Sequence, residues 1–213
     1  MAGLLEIGYI VVEGPIGAGK TSLARRLAER LDATLLLEGA EANPFLPRYY
    51  QDPPRFALAT QLFFLFQRVE QVRQLTQREL FARPVVADFV LDKDPLFARL
   101  TLSDDEFRLY QQVYAELAPQ APSPDLVIYL QAPVDVLLER VRSRGIEYER
   151  AIDRDYLTRL SEAYAQYFYH YEASPLMIVN SAHLNFVAEP ADLDLLLARL
   201  PKVRGRAFLN RGD

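Results

Sequence analysis

Residues 14–21 of this 213-residue chain read GPIGAGKT, which meets the pattern of a phosphate-binding P-loop, GxxxxGK followed by Ser or Thr. The glycines allow backbone N–H groups to turn toward phosphate oxygens at the positive end of the helix that follows. Lys20 is predicted to contact the transferred phosphate, and the Thr21 hydroxyl to help bind Mg²⁺. The residues expected to contact ATP are Gly14, Ile16, Gly17, Ala18, Gly19, Lys20, Thr21 and Ser22.

Three acids each follow a short apolar run that predicts a strand: Glu13, Glu38 in LLLEGAE, and Asp88 in VVADF. In open α/β sheets, ligands bind beyond the carboxyl ends of the strands. A single acid at such a place can be a solvated turn residue. Two acids that face a P-loop favour functional residues over solvated turn residues, and the strand and helix that flank the P-loop favour a phosphate site over an ordinary Gly-rich turn.

Short apolar runs alternate with helical patterns, which predicts a parallel α/β sheet in a three-layer α/β/α arrangement. Five strands are predicted, at residues 7–12, 34–37, 84–88, 125–131 and 176–180. Helices are predicted at residues 20–31, 56–81, 94–100, 104–118, 134–144, 153–171 and 190–200. We expect one P-loop domain over residues 1–200, and a loose, basic C-terminal tail over residues 201–213.

Composition limits the chemistry. The chain has no cysteine, which excludes disulfides, thiolate catalysis and Cys-ligated metals, and its two histidines show no ligand spacing. A net charge of −5 argues against a nucleic-acid polymer or an anionic membrane as the main partner. The N-terminus lacks the basic flank and cleavage site of a signal peptide, and no apolar run is long enough to span a bilayer. We expect a soluble, cytoplasmic protein.

The chain resembles the deoxynucleoside kinase family, specifically its bacterial deoxyadenosine/deoxyguanosine kinase branch. The P-loop alone is shared by unrelated families, whereas an ordered set of segments over residues 7–187 is far more specific. These segments are GPIGAGKTSLARRLAERL, LLEGAEANPFLPRYYQDP, QLFFLFQR, DFVLDKDPLFARLTL, PDLVIYLQAPVDVLLERVRSRG and LSEAYAQYFYHY. The resemblance implies transfer of the ATP γ-phosphate to the 5′-hydroxyl of a deoxyribonucleoside, with Mg²⁺ as cofactor.

The resemblance also implies residue roles at the nucleoside. Glu38 corresponds to the general base on the 5′-hydroxyl, and Gln61 to a glutamine that hydrogen-bonds the nucleobase. Arg68 lies two helical turns beyond Gln61 and, with Asp94, corresponds to a pair that shapes the base pocket. Apolar neighbours in LFFLF indicate that these polar groups line a pocket rather than an exposed stripe.

Further roles concern the sugar and the walls of the pocket. Tyr50 and Glu149 correspond to residues that share the sugar 3′-hydroxyl, with Tyr49 as an adjacent competitor of Tyr50. Aromatic side chains can stack on a planar base, although each is equally compatible with plain core. The aromatic candidates are Phe64, Phe89 and Phe97.

By the same resemblance, a helical lid over about residues 140–152 carries the cations that neutralise the ATP phosphates. Arg140 and Arg144 correspond to lid arginines that close over the ATP phosphates, a task that suits the forked, permanently charged guanidinium. A basic face on an exposed helix is the alternative. Asp88 is expected to support the metal or its waters, together with Thr21.

Two positions depart from the family pattern. Much of the family has an arginine directly after the acid of the third strand, where this chain has Phe89. Lys93 is the candidate replacement, on proximity alone. The lid also has Ile146 where a further arginine is usual, and Arg150 is the candidate to compensate.

The sequence therefore predicts a kinase for deoxyadenosine or deoxyguanosine, with deoxycytidine as a further candidate. A nucleoside monophosphate kinase of the thymidylate kinase type is one alternative, although it needs extra cations for the acceptor phosphate and position 89 supplies none. A non-catalytic, ATP-binding regulatory protein is the other, against which the presence of Glu38 beside an intact P-loop weighs. The resemblance further implies a homodimer that packs long helices.

Overall fold

Six parallel strands form the central sheet of the computed structural model, which describes residues 7–77, 83–117 and 122–211. The strands are β1 (Tyr9–Glu13), β2 (Thr34–Leu36), β3 (Val85–Ala87), β4 (Leu126–Gln131), β5 (Leu176–Asn180) and β6 (Arg206–Leu209). Their order across the sheet is β2-β3-β1-β4-β5-β6, and every pair is parallel. All residues of β1 and β3 are buried, as continuous apolar runs predict for strands that are covered on both faces.

Helices flank this sheet. They are α1 (Lys20–Leu31), α2 (Leu46–Tyr49), α3 (Pro53–Gln77), α4 (Asp94–Thr101), α5 (Asp104–Leu117), α6 (Val134–Arg144), α7 (Arg154–Tyr169) and α8 (Pro190–Arg199). In α1 the buried positions are Leu23, Ala24, Leu27 and Ala28, a spacing that places one apolar stripe against β1, β2 and β3. The predicted α/β fold is confirmed.

The predicted number of strands is wrong, because a sixth strand forms inside the segment that was expected to be a loose tail. β6 extends the sheet beyond β5, with Leu176 opposite Arg206 and Val179 opposite Leu209. Leu209 is fully buried, whereas Arg206 and Phe208 are exposed. A four-residue edge strand with basic neighbours has too short an alternation to be distinguished from a surface segment by pattern alone.

Most other elements agree with the predicted ones to within a few residues. The short α2 was not predicted, and α3 begins three residues earlier than expected. Residues 78–81 of the predicted long helix and residue 118 of another lie outside the described residues. Within the described parts of the chain, no helix is long and apolar enough to cross a membrane.

Two apolar clusters make up the core. The larger one fills the space between the sheet and its flanking helices. The smaller one joins α3, α4 and α5 and includes Leu65, Phe89 and Tyr110, all of them fully buried. This second cluster anchors α3 beside the carboxyl ends of the strands, where the candidate site lies.

Candidate active site

A cavity of about 480 Å³ opens at the carboxyl ends of β1, β2 and β3, within the size range of small-molecule sites. The P-loop and the start of α1 form one side of the cavity, and α3 forms another. The segment after α6 contributes Arg144, Ile146, Tyr148 and Glu149. The cavity therefore brings together the predicted phosphate site and the predicted nucleoside site.

The P-loop is packed directly against the backbone of β4 and α6. A Cβ atom at Gly14 would lie 2.5 Å from the carbonyl oxygen of Leu130, and one at Gly17 would lie 2.6 Å from that of Leu137. Gly17 also has a φ of +85°, which an L side chain rarely adopts. Glycine is thus required at both positions by contact as well as by conformation, and the loop forms a backbone cradle for phosphate.

Lys20 projects from the P-loop into the cavity, where its Nζ donates to the carbonyl oxygens of Gly14 (2.8 Å) and Pro15 (3.3 Å). Burial lowers the pKa of Lys20, and the charge of Lys93 lowers it further. An incoming phosphate would oppose both effects, because an anion favours the charged form of the amine. Lys20 is thus placed where it gains most from a phosphate ligand.

Asp88 joins the start of α1 to the end of β2. Its Oδ2 accepts a hydrogen bond from the Thr21 hydroxyl (2.6 Å), and its Oδ1 accepts one from the backbone N–H of Glu38 (2.7 Å). Burial raises the pKa of Asp88, although both of these hydrogen bonds oppose the rise. The hydroxyl of Thr21 donates its proton here and keeps its lone pairs for another partner.

This pair fits a hard cation such as Mg²⁺, which prefers oxygen ligands and usually keeps several waters or phosphate oxygens. Within residues 7–77, 83–117 and 122–211, no group of three or more Asp, Glu, His or Cys side chains could hold a metal by itself. A cation bound at Thr21 and Asp88 would therefore need phosphate oxygens to complete its coordination.

Arg68 bridges the two acids that the sequence places in the nucleoside site. Its Nε donates to Oε1 of Glu38 at 2.9 Å, and its Nη2 contacts the same oxygen. Its Nη1 is paired with Oδ1 of Asp94, whose Oδ2 accepts from the Tyr110 hydroxyl. Asp94 is completely buried and is not among the described residues that line the cavity, so Arg68 stands between it and any ligand.

Glu38 is held as a carboxylate. Burial alone would raise its pKa, but neighbouring cations, above all Arg68, outweigh burial and hold this pKa at about 2. The other two cations are Lys93 and Lys20. A group with so low a pKa is a weak base, and it takes up a proton only while the donor hydroxyl becomes strongly acidic.

One wall of the cavity is formed by α3, where Gln61, Phe64 and Arg68 recur at helical spacing. The Nε2 of Gln61 donates to the Thr101 hydroxyl at 3.2 Å. Its Oε1 is buried and has no hydrogen-bonding partner among the described residues. A buried acceptor of this kind is usually satisfied by a ligand or by water.

The three aromatic candidates lie in different places. Phe64 and Phe97 line the cavity, whereas Phe89 belongs to the smaller apolar cluster and is fully buried. Tyr49 and Tyr50 both line the cavity. The ring of Tyr50 stacks on that of Tyr148, with 5.9 Å between ring centroids and an interplanar angle of 14°.

The segment after α6 supplies a further acid of the cavity, Glu149. Glu149 accepts from Nη1 of Arg144 at 3.1 Å, and burial raises its pKa. Its other oxygen, Oε2, is buried without a hydrogen-bonding partner in the described part of the chain. Glu149 and Tyr50 therefore offer an acceptor and a hydroxyl on the same side of the cavity.

The predicted lid arginines differ in their placement. Arg144 lines the cavity. Arg140 instead donates to the carbonyl oxygen of Ser181 at 2.6 Å and to its hydroxyl at 3.3 Å. Neither Arg140 nor the exposed Arg150 is among the described residues that line the cavity.

Sequence reasoning missed several supporting residues. Gln67 and Gln71 on α3 donate to the backbone carbonyls of Glu38 and Leu37, at 2.5 Å and 2.7 Å, and so hold the end of β2 against the helix. Two amides spaced four residues apart, and so on one face of α3, were the available signal. Tyr148, which lies directly before Glu149, carries no such signal.

The chain is similar to known proteins over most of its length. Residues 10–203 match the family model for deoxynucleoside kinases. The chain is 31% identical to the deoxyguanosine kinase of Bacillus subtilis (strain 168) over 200 residues, which cover 92% of this chain and 97% of the relative. It is 33% identical to the deoxyadenosine kinase of Lactobacillus acidophilus over 195 residues, covering 85% of this chain and 89% of the relative.

A solved structure of deoxyadenosine kinase from M. mycoides with bound dATP has the same fold, with a TM-score of 0.78 at 24% identity. The alignment covers 90% of this chain and 98% of that chain. The family model spans nearly all of the described chain, and both named relatives are aligned over most of their length. The chain therefore belongs to the deoxynucleoside kinase family, a family of ATP-dependent phosphotransferases.

Proposed function

We propose that this protein transfers the γ-phosphate of ATP to the 5′-hydroxyl of a purine deoxyribonucleoside, as a step of nucleotide salvage. The observation that carries the proposal is the position of Glu38, which lies opposite Lys20 and Thr21 in a cavity that Gln61 and Arg68 also line. A phosphate cradle, a carboxylate and a base-binding wall thus share one space. Relatives named as deoxyguanosine and deoxyadenosine kinases support the choice of a purine.

In the proposed reaction, the 5′-oxygen forms a bond to the γ-phosphorus, and the bond from that phosphorus to the β–γ bridging oxygen breaks. The hydroxyl proton passes to the Glu38 carboxylate, and ADP leaves with the bridging oxygen. Because the transition state is loose, the hydroxyl becomes acidic only as the new bond forms. A weak base is then sufficient, and its main task is to orient the hydroxyl.

Cationic side chains would stabilise the phosphate charge. Lys20 contacts the phosphates from the P-loop, and Arg144 approaches from the segment after α6. Arg140 can join them only by exchanging its contacts with Ser181. Thr21 and Asp88 would hold Mg²⁺, partly through water, and the bound ion would neutralise charge on the β- and γ-phosphates.

The nucleoside would be held at both ends. Gln61 offers its unpaired oxygen to the base, and Arg68 offers N–H groups beside it, while Phe64 and Phe97 face the ring. Asp94 would act on the base through the orientation of Arg68, since it lies behind that side chain. Deoxycytidine, which also carries donor and acceptor groups on its base edge, is a further candidate substrate.

The 3′-hydroxyl of the sugar would be bound by Tyr50 and Glu149, with the buried Oε2 of Glu149 as its acceptor.

We further propose a cytoplasmic homodimer. Two exposed apolar side chains, Phe66 on α3 and Leu109 on α5, lie on helices that contact each other and support an interface there.

The test is ATP-dependent phosphorylation of the four natural deoxynucleosides and their monophosphates by the wild type and by Glu38→Gln, with Glu116→Gln on an exposed helix face as the matched control. We expect turnover of a purine deoxynucleoside that falls sharply in Glu38→Gln and is unchanged in the control. Phosphorylation of monophosphates alone would assign the protein to the thymidylate kinase type. Tight ATP binding without turnover of any acceptor would favour the regulatory alternative.

A further inference from the structure

Glu13 and Lys93 form an ion pair at the inner end of the cavity. The Nζ of Lys93 lies 2.7 Å from Oε1 of Glu13, and the two side chains are 1% and 0% exposed. Lys93 nevertheless lines the cavity. The reaction described above uses neither residue.

The carboxylate of Glu13 is tied to three separate elements. Its Oε2 accepts from the backbone N–H of Gly14 (3.0 Å) and from the Tyr164 hydroxyl (3.2 Å). Its Oε1 accepts from the backbone N–H of Val90 (2.9 Å) as well as from Lys93. Glu13 therefore fixes the Lys93 ammonium relative to the first residue of the P-loop.

A buried ion pair is a poor way to stabilise a fold, because well-packed apolar residues do so at least as well. A charged side chain that lines a cavity is more typical of a functional site, and Lys93 is such a side chain. A buried apolar residue of this kind is found directly after Asp88, where Phe89 is fully buried in the smaller cluster. Position 89 therefore carries no cation, whereas Lys93 is a cation with a buried anionic partner.

The ammonium of Lys93 is close to groups of both the phosphate site and the acceptor site. It stands 5.2 Å and 5.6 Å from the ring centroids of Phe97 and Tyr164, which both line the cavity. Lys20 binds the carbonyl of Gly14, and Lys93 is linked through Glu13 to the N–H of the same residue. The charge of Lys93 also lowers the pKa of both Lys20 and Glu38, as expected for a group close to each.

We propose that Lys93 is a further cationic catalytic residue, which contacts the transferred phosphoryl group from the acceptor side, and that Glu13 is the positioning residue that holds it there. This rests on the proposed kinase function. Lys93 supplies charge alone, so the bonds formed and broken are those given above. Lys20 and Lys93 then face the transferred group from two directions.

Three variants separate a catalytic pair from a structural one: Lys93→Met, Glu13→Gln, and the two changes combined. Either single change leaves a buried partner unpaired and is expected to lower Tm. The double variant removes both charges and is expected to recover most of the lost Tm. Lys202→Met, the same substitution at an exposed lysine, is the matched control.

We expect kcat of the double variant to stay down by about 100-fold, the order of magnitude found when one preorganised donor to transition-state charge is removed. KM for the nucleoside should change by less than about fivefold, because the contact is made mainly in the transition state. Glu13→Gln alone should lower kcat less than Lys93→Met does, with KM for ATP little changed. A double variant that recovers both Tm and kcat would overturn the inference and leave only a structural pair.

The comparison is made with whichever acceptor the wild type phosphorylates. Turnover of monophosphates alone would refute the proposed substrate, yet kcat of the variants would still decide the role of Lys93. The absence of turnover with every acceptor would refute both proposals together. Normal wild-type turnover of a deoxynucleoside with normal kcat in the double variant would refute this inference alone.

Discussion

Replacing the Glu38 carboxylate by an amide should destabilise the protein more at neutral pH than in acid. In Glu38→Gln the side chain keeps its size and still offers an oxygen to Arg68. Only the negative charge is lost, and Arg68 retains its pairing with Asp94. The change therefore isolates the interaction between the Glu38 charge and the surrounding cations.

The pKa of Glu38 sets the magnitude. A fall from the ordinary value of 4.5 to about 2 corresponds to about 3 kcal/mol of folding free energy, since each pKa unit is worth about 1.4 kcal/mol. The Glu38 side chain is 20% exposed, so solvent screening makes this an upper bound. Because the pKa is lowered in the folded state, the contribution is fully present above pH 4.5 and is lost as the pH falls through about 2. At pH 3, about 1 kcal/mol of it should remain.

Urea unfolding of the wild type and of Glu38→Gln at pH 7, 5, 4 and 3 measures this difference directly. We expect a destabilisation of about 2 to 3 kcal/mol at pH 7 that shrinks toward about 1 kcal/mol at pH 3. Asp104→Asn serves as control, because its exposed pair with Arg99 at 2.9 Å should contribute less than about 1 kcal/mol. An equal destabilisation at pH 7 and pH 3 would refute the reasoning, since the loss would then not come from charge.

Three further predictions concern the lid, the base and the assembly. Arg144→Met should lower kcat/KM for ATP at least about tenfold more than Arg142→Met does, because a guanidinium on phosphate is a strong, charge-assisted contact. Arg142 is exposed on the same helix and serves as the control. Equal effects of the two substitutions in steady-state kinetics would contradict this prediction. Gln61→Leu should raise KM for the purine deoxynucleoside about tenfold while kcat changes little, because a lost hydrogen bond to the base weakens ground-state and transition-state binding alike. By light scattering, the wild type should be a dimer and Phe66→Glu a monomer, whereas Phe208→Glu on β6 should remain a dimer; a monomeric wild type would contradict the proposed interface.

The parts of the site that come from strand ends were predictable because two local patterns agree there. An apolar run predicts a buried strand, and in a parallel sheet the residue that follows it lies at the edge where ligands bind. Glu13, Glu38 and Asp88 are each found there for this reason. The face of α3 that carries Gln61 and Arg68 could likewise be read from helical spacing alone.

The sequence could not predict which charged side chains pair with each other, because the pairing depends on how the side chains pack in three dimensions. Arg68 and Asp94 were expected to share the base, yet the guanidinium covers the carboxylate. Glu13 was expected at the edge of the sheet, but only the packing shows that Lys93 binds it. The edge strand β6 was missed for a related reason: its pairing with β5 is a long-range contact with little local signal.

The cations of the site are already bound within the protein before any phosphate arrives. Lys20 donates to P-loop carbonyls, Arg144 to Glu149, and Arg140 to Ser181. A phosphate must replace these partners, so its binding energy is offset by the contacts that are lost. Lys93 differs from the other three cations. Its partner, Glu13, is held in the interior by further hydrogen bonds, so the position of the Lys93 ammonium is already fixed. In the proposed reaction, cations that exchange partners to bind ATP would act together with one that is preorganised for the transferred group, and preorganised charge is the kind that lowers the barrier of the chemical step.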